Sequence, residues 1–95
     1  MITITFTPEE ITVSGHADYA PKGYDIVCAA ISALTDTLIK SIHALTQDSI
    51  EAEEGEGKAV IYLRNPSEKT KTLVDSFFIG VSDVAAAYPE NVRIC

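Results

Sequence analysis

Asp25-Ile26-Val27-Cys28-Ala29-Ala30-Ile31-Ser32-Ala33-Leu34-Thr35-Asp36-Thr37-Leu38-Ile39-Lys40-Ser41-Ile42-His43-Ala44-Leu45 decides how the rest of the chain must be arranged. Val27, Ile31, Leu34, Leu38, Ile42 and Leu45 recur at three- and four-residue steps, so they line one side of a helix about five turns long. Asp25 stands immediately before the stripe and reads as its N-cap. A helix with one apolar side needs a surface to cover, and the sequence on both flanks supplies sheet.

Toward the N-terminus, Ile2, Ile4 and Phe6 alternate with Thr3, Thr5 and Thr7, a strand with one buried face. Thr7-Pro8-Glu9-Glu10 turns the chain, and Ile11-Thr12-Val13-Ser14 returns it as the second arm of a hairpin ending at Gly15-His16. Residues Ala17 to Tyr24, with Pro21 and Gly23, show no periodicity and are expected to form a mobile loop. Toward the C-terminus, Ser49–Glu54 and Lys58–Arg64 are strand patterns around Gly55-Glu56-Gly57. Asn65-Pro66-Ser67 stops the second of these and caps a helix whose stripe is Leu73, Val74, Phe77, Phe78, Val81, Val84, Ala85 and Tyr88. Pro89 ends it, and Val92-Arg93-Ile94 is a short last strand. The order ββαββα(β) over residues 1–95 predicts a single domain of the α+β class. It is a two-layer sandwich with two helices on one face of a mainly antiparallel sheet. Gly80, inside the second helix, costs about 1 kcal/mol relative to alanine. Close helix–helix approach, within the chain or across a dimer seam, accounts for it.

With 14 acidic and 7 basic residues, the formal net charge is −7. Such a surface repels phosphate backbones and excludes direct nucleic-acid binding, whereas a basic protein is attracted. Asp48, Glu51, Glu53, Glu54 and Glu56 concentrate that charge around the second hairpin. They read either as a docking surface for a basic substrate or as a solvated edge that discourages aggregation. Met1–Phe6 lacks the basic and continuous apolar regions of a signal peptide. No uninterrupted apolar run approaches the ~20 residues of a membrane span, so no membrane partner is expected. Two distant cysteines without metal-ligand spacing point to a reducing cytoplasm. A domain this small gains buried area most cheaply by forming a homodimer.

The chemistry concentrates at the start of the central helix. As its third residue, Cys28 is expected to hold its sulfur near unpaired amides and the positive end of the helix dipole. The same amides are placed to stabilise an oxyanion on an attacked carbonyl. Of the two histidines, His43 lies fifteen residues farther along the same helix, about 22 Å away, and is out of reach within one subunit. His16, at a strand end whose loop leads straight to Asp25, is the candidate base. Asp25 reads either as the N-cap or as a third member that orients His16. Ser32, one turn beyond Cys28, either hydrogen-bonds beneath the thiol or loop or bonds back to a helix carbonyl. Cys28 itself has a plainer reading, a small packed hydrophobe in a non-catalytic binding module. A redox reading with Cys95 as resolving partner lacks a C-x-x-C arrangement. No metal site and no cofactor are implied: the histidines and Cys28 have no common ligand spacing, and no glycine-rich phosphate loop is present.

Gly15-His16-Ala17 followed by Asp25-Ile26-Val27-Cys28-Ala29-Ala30-Ile31-Ser32 resembles the ribosomal-processing cysteine protease (Prp) family, and the likeness extends over essentially the whole domain. Asn91-Val92-Arg93 is similar to the family's closing strand. The resemblance implies a homodimeric cytoplasmic cysteine protease that removes the N-terminal extension of the large-subunit ribosomal protein numbered 27. It implies His16 as general base and Cys28 as nucleophile, with Gly15, Asp25 and Ser32 at the remaining motif positions. The loop Asp18 to Tyr24 corresponds to the family's flexible segment that orders around substrate. Phage-borne relatives process virion proteins, which leaves the substrate open between the two. The second hairpin, around Gly55-Glu56-Gly57, is short for the family and bears on the substrate groove.

Overall fold

A computed structural model describes residues 1–95. The alternating residues form β1 (Ile2–Phe6) and β2 (Glu10–Ser14), with Ile4 opposite Val13 and Phe6 opposite Ile11. Thr7 closes the turn by accepting the amides of Glu9 at 3.3 Å and Glu10 at 3.0 Å on its hydroxyl. There follow α1 (Ile26–Leu45), β3 (Glu51–Gly55), β4 (Lys58–Tyr62), α2 (Glu68–Ala87) and β5 (Val92–Ile94). The sheet order is β3-β4-β2-β1-β5, antiparallel except for β5, which runs parallel to β1. The expected α+β sandwich is therefore the fold. The parallel edge follows from α2, which carries the chain to the far side of the sheet before it re-enters.

Ile2, Ile4, Ile11, Ile61, Leu63 and Val92 on the sheet side meet Val27, Ile31, Leu38 and Ile42 of α1 and Phe77 and Val81 of α2 in one core. Removing each of these side chains from water contributes roughly 1.5–3 kcal/mol. The stripes narrow at their margins: Leu45 and Phe78 are exposed, although Phe78 sets its ring edge-on against Phe6 at 5.3 Å. Two threonines outside the expected stripes are buried. The Thr35 hydroxyl donates to the Ile31 carbonyl at 2.8 Å, and that of Thr70 donates to Asp48. A buried hydroxyl is tolerated where it is bonded, which apolar patterning does not register. By length and composition α1 is apolar enough to cross a membrane. Its buried positions, Val27, Ile31, Thr35, Leu38 and Ile42, face the protein's own core.

Asp48 departs from both readings of the acidic group, docking surface and solvated edge alike. Its carboxylate accepts the Ser67 amide at 2.9 Å, the Ser67 hydroxyl at 2.8 Å and the Thr70 hydroxyl. Those donors, Thr70 foremost, hold its pKa below the ordinary carboxylate value. Ser67 caps α2 by accepting the Thr70 amide at 3.3 Å, so Asp48 anchors the cap of the second helix. Gly80 is explained within the chain: a Cβ there meets the terminal carbons of Leu34 at 3.1 and 3.3 Å, where α2 crosses α1.

Gly80→Ala sets a helix-propensity gain of about 1 kcal/mol against a small displacement of Leu34. Urea unfolding is expected to place it within about 1 kcal/mol of wild type, whereas Gly80→Leu overpacks the crossing and costs about 1–3 kcal/mol. The depressed pKa of Asp48 gives stability that is complete above the unfolded carboxylate value of 3.8 and is lost as pH falls through the lower folded value. Asp48→Ala is accordingly expected to melt below wild type at neutral pH, with the gap narrowing as pH is taken below 3.8.

Candidate active site

Strand order determines where the site lies. β2 is the middle strand, and its last residue, Ser14, pairs with Thr3 on one side and Lys58 on the other. The chain leaving β2 therefore emerges between the start of β1 and the β3–β4 turn. Gly15 makes that exit at φ +94°, and a Cβ there would overlap the Met1 carbonyl oxygen, so no other residue fits. Its amide donates to the Gly57 carbonyl at 2.8 Å. His16 follows, exposed, with its carbonyl accepting the Met1 nitrogen and its imidazole against Gly57. Ala17 is buried at the edge of the core; its amide donates to Cys28 Sγ at 3.4 Å and its carbonyl accepts Asn91 Nδ2 at 2.9 Å.

Cys28 is half-buried in the first turn of α1. Asp25 takes the N-cap reading. Its Oδ1 accepts the amides of Val27 at 3.0 Å and Cys28 at 2.9 Å, while Oδ2 accepts those of Tyr19 at 3.1 Å and Ala20 at 3.4 Å. The Cys28 amide is the strongest of the influences that hold the Asp25 carboxyl below its ordinary pKa; partial burial opposes it. Two expectations are corrected by this cap. Asp25 does not orient His16, because both oxygens are engaged by backbone amides. The Val27 and Cys28 amides are not unpaired donors for the sulfur or an oxyanion, because the cap carboxylate already holds them. The amide on the sulfur comes from Ala17 instead.

The loop also has more structure than its composition indicates. Besides the Asp25 bonds, the Tyr19 ring stands edge-on to Tyr88 at 5.3 Å, and the Tyr24 amide closes a turn on the Pro21 carbonyl at 2.9 Å. Ser32 is exposed, and its hydroxyl forms neither of the two hydrogen bonds expected of it.

Gly15, His16, Asp25, Cys28 and Ser32 all line one open cleft of about 700 Å³. The β3–β4 turn, Glu54 to Lys58, forms another part of its wall, and Lys22 and Gly23 enter from the loop. His16 and Cys28 share this cleft without a hydrogen bond to each other; the imidazole is at the Gly57 side and the sulfur is under the Ala17 amide. His43 lies outside the cleft lining, and Cys95 is exposed beyond β5 as a free thiol. Of the acidic hairpin residues, Glu54 and Glu56 line the cleft. Glu51 and Glu53 surround Tyr62, whose pKa is pushed up first by burial and then by these carboxylates and Glu10.

Three contributors were not legible as such. Ala17 acts through a backbone amide, which leaves no trace in residue type. Asn91 looked like part of the closing strand but holds the Ala17 peptide, and Gly57 looked like a turn former but touches the imidazole.

The chain thus places a thiol under a backbone amide, within an open cleft that also holds one imidazole. Its sequence matches the family model described as cysteine protease Prp over residues 1–93. It is 30% identical over 94 residues to the ribosomal processing cysteine protease Prp of Mycoplasma pneumoniae, covering 97% of this chain and 91% of that protein. It is 23% identical over 103 residues to the Staphylococcus aureus protein of the same name, covering 99% and 97%. Its fold matches the crystal structure of the S. aureus protease with a covalently linked product peptide at a TM-score of 0.90 and 25% identity, over 99% of this chain and 97% of the other. A Streptococcus mutans protein of known structure matches at 0.79 and 30% identity, over 99% and 91%. With the match spanning nearly its whole length, the chain belongs to the cysteine protease Prp family and is itself a cysteine protease.

Proposed function

We propose that this protease uses Cys28 as nucleophile and His16 as general base to remove the N-terminal extension of the large-subunit ribosomal protein numbered 27. It acts in the cytoplasm, as a homodimer and without a cofactor. The observation that carries the reading is the single cleft shared by His16 and Cys28, with the Ala17 amide 3.4 Å from the sulfur. Support for the substrate class comes from relatives named for ribosomal processing and from the product peptide bound covalently to the S. aureus enzyme.

In this mechanism His16 turns from Gly57 toward the sulfur and takes the Cys28 proton. The thiolate attacks the scissile carbonyl carbon, and the tetrahedral intermediate collapses to a thioester as the amine leaves with the proton held by His16. Water, deprotonated by His16, then attacks the thioester and releases the carboxylic acid and the free thiol. The Ala17 amide steadies the thiolate before attack. Asp25 keeps the loop and helix start together, Gly15 allows His16 to leave the sheet, and the unbonded Ser32 hydroxyl is available to the substrate. Glu54 and Glu56 on the cleft wall favour a chain carrying basic residues.

The homodimer is supported by surface. The chain exposes 5975 Å², against roughly 5,300 Å² for a folded monomer of its mass, and Phe78 and Ile79 on α2 are among the exposed apolar side chains.

Cleavage of the extended N-terminal peptide of the ribosomal protein, followed by mass spectrometry, is expected from wild type. Cys28→Ala should give none, and His16→Ala should be slower by about 10²–10⁴-fold. Full cleavage by His16→Ala would remove the base from the mechanism. A wild type that leaves this peptide intact but cuts a virion protein would move the substrate to the phage class. Light scattering should give twice the 10.2 kDa chain mass, and Ile79→Asp should shift it toward the monomer; a dimer unaffected by that charge has its seam elsewhere.

A further inference from the structure

His16 lacks the third group that orients a catalytic imidazole in a triad. Asp25, the carboxylate the sequence pattern offers for that task, spends both oxygens on backbone amides, Asp18 faces the Met1 nitrogen at 3.5 Å, and no side chain hydrogen-bonds the imidazole. An exposed histidine without a partner samples several rotamers, and a base that is misplaced by an ångström loses about 10²-fold in rate. What touches the ring is Gly57. A Cβ on Gly57 would stand 2.8 Å from Nε2 and 3.3 Å from Cε1, so the tip of the imidazole occupies the space of the missing side chain. At Gly55, in the same turn, a Cβ would meet nothing within 4 Å.

We infer that Gly57 is a positioning residue for His16, a bare stretch of backbone that sets the resting place in the cleft from which the imidazole turns toward the Cys28 sulfur. Three features join it to the base rather than to the hairpin alone. Its φ of +71° turns the backbone at the second residue of the β3–β4 turn. Its carbonyl accepts the amide of Gly15, the residue immediately before His16, at 2.8 Å. The pairing of Ser14 with Lys58 sets β2 and this turn in one register, so turn and imidazole share a frame. The tip of the second hairpin is thereby the surface on which the base rests. The inference rests on His16 being the general base.

The test follows kcat and KM for peptide cleavage, together with the rate of Cys28 alkylation by iodoacetamide read by peptide mass in a Cys95→Ser background. Gly57→Ala is expected to lower kcat by about 10-fold or more and leave KM within about 2-fold, because the ring is displaced while the rest of the cleft stays. Gly57→Asn should behave likewise, since asparagine tolerates a left-handed φ but still carries a Cβ. Wild-type kcat in the asparagine variant would overturn the inference by assigning the alanine effect to turn strain. Alkylation completes a double-mutant cycle with His16→Ala. Gly57→Ala should slow alkylation when His16 is present and change it by less than about 2-fold when His16 is alanine. Equal slowing in both backgrounds would mean that Gly57 acts on the fold, and the inference fails. If His16→Ala itself leaves alkylation unchanged, it is the dyad reading that fails, a distinct result from His16→Ala slowing the reaction while Gly57→Ala does not.

Discussion

The four amides on the Asp25 carboxylate hold together the loop and the start of α1, the two parts of the chain that build the site. Oδ1 closes the first turn of α1, and Oδ2 draws in the loop at Tyr19 and Ala20. A loop that runs from a strand end to a helix start has many ways to close, and each extra conformation weakens the site by dispersing it. By bonding both to one side chain, Asp25 ties the middle of the loop to the helix turn that carries Cys28. Ala17 is then in place to reach the sulfur, and Asn91, just before β5, secures its peptide.

That arrangement carries an electrostatic consequence. A helix N-terminus favours a thiolate through its unpaired amides and its partial positive charge, but here a carboxylate takes the two amides of Val27 and Cys28 and offsets part of that charge. The cap thus stabilises the helix and takes those two amides away from the Cys28 sulfur in the same stroke. A neutral donor can restore it without a second charge, and the Ala17 amide is one. The structure separates the two tasks: a charged side chain holds the helix, and a neutral backbone group holds the sulfur.

The elements were legible because each is written in a repeating period. Alternation gave the first hairpin, three- and four-residue steps gave both helices, and Asp25, Ser67 and Pro89 marked helix ends as caps and stops do. The side chains of the site were legible because histidine, cysteine and aspartate are chemically conspicuous. What escaped was whatever depends on tertiary placement: the parallel direction of β5, the burial of Thr35 and Thr70, and the diversion of Asp48 from a surface cluster to a helix cap. Backbone chemistry escaped for a different reason. An amide has no letter, so Ala17 as a donor and Gly57 as a wall leave only the marks of a small residue and a turn.

The central place of β2 explains why such backbone groups gather at this site. An edge strand would leave its exit facing solvent on one side, whereas Ser14 is flanked by both neighbours, and the chain must thread between the Met1 carbonyl and the Gly57 turn. The crowding forces glycine at position 15, where any Cβ would overlap Met1, and it brings the next residue's imidazole directly onto Gly57. A Cβ is excluded at both glycines by space, so the groups that meet the His16 ring and the Cys28 sulfur there are main-chain ones, Gly57 and the Ala17 amide. Both are tied beside the sheet, Gly57 by its carbonyl to the Gly15 amide and Ala17 by its carbonyl to Asn91. The sheet therefore does more than support the helices: its register at Ser14 and Lys58 sets where His16 stands in the cleft it shares with Cys28.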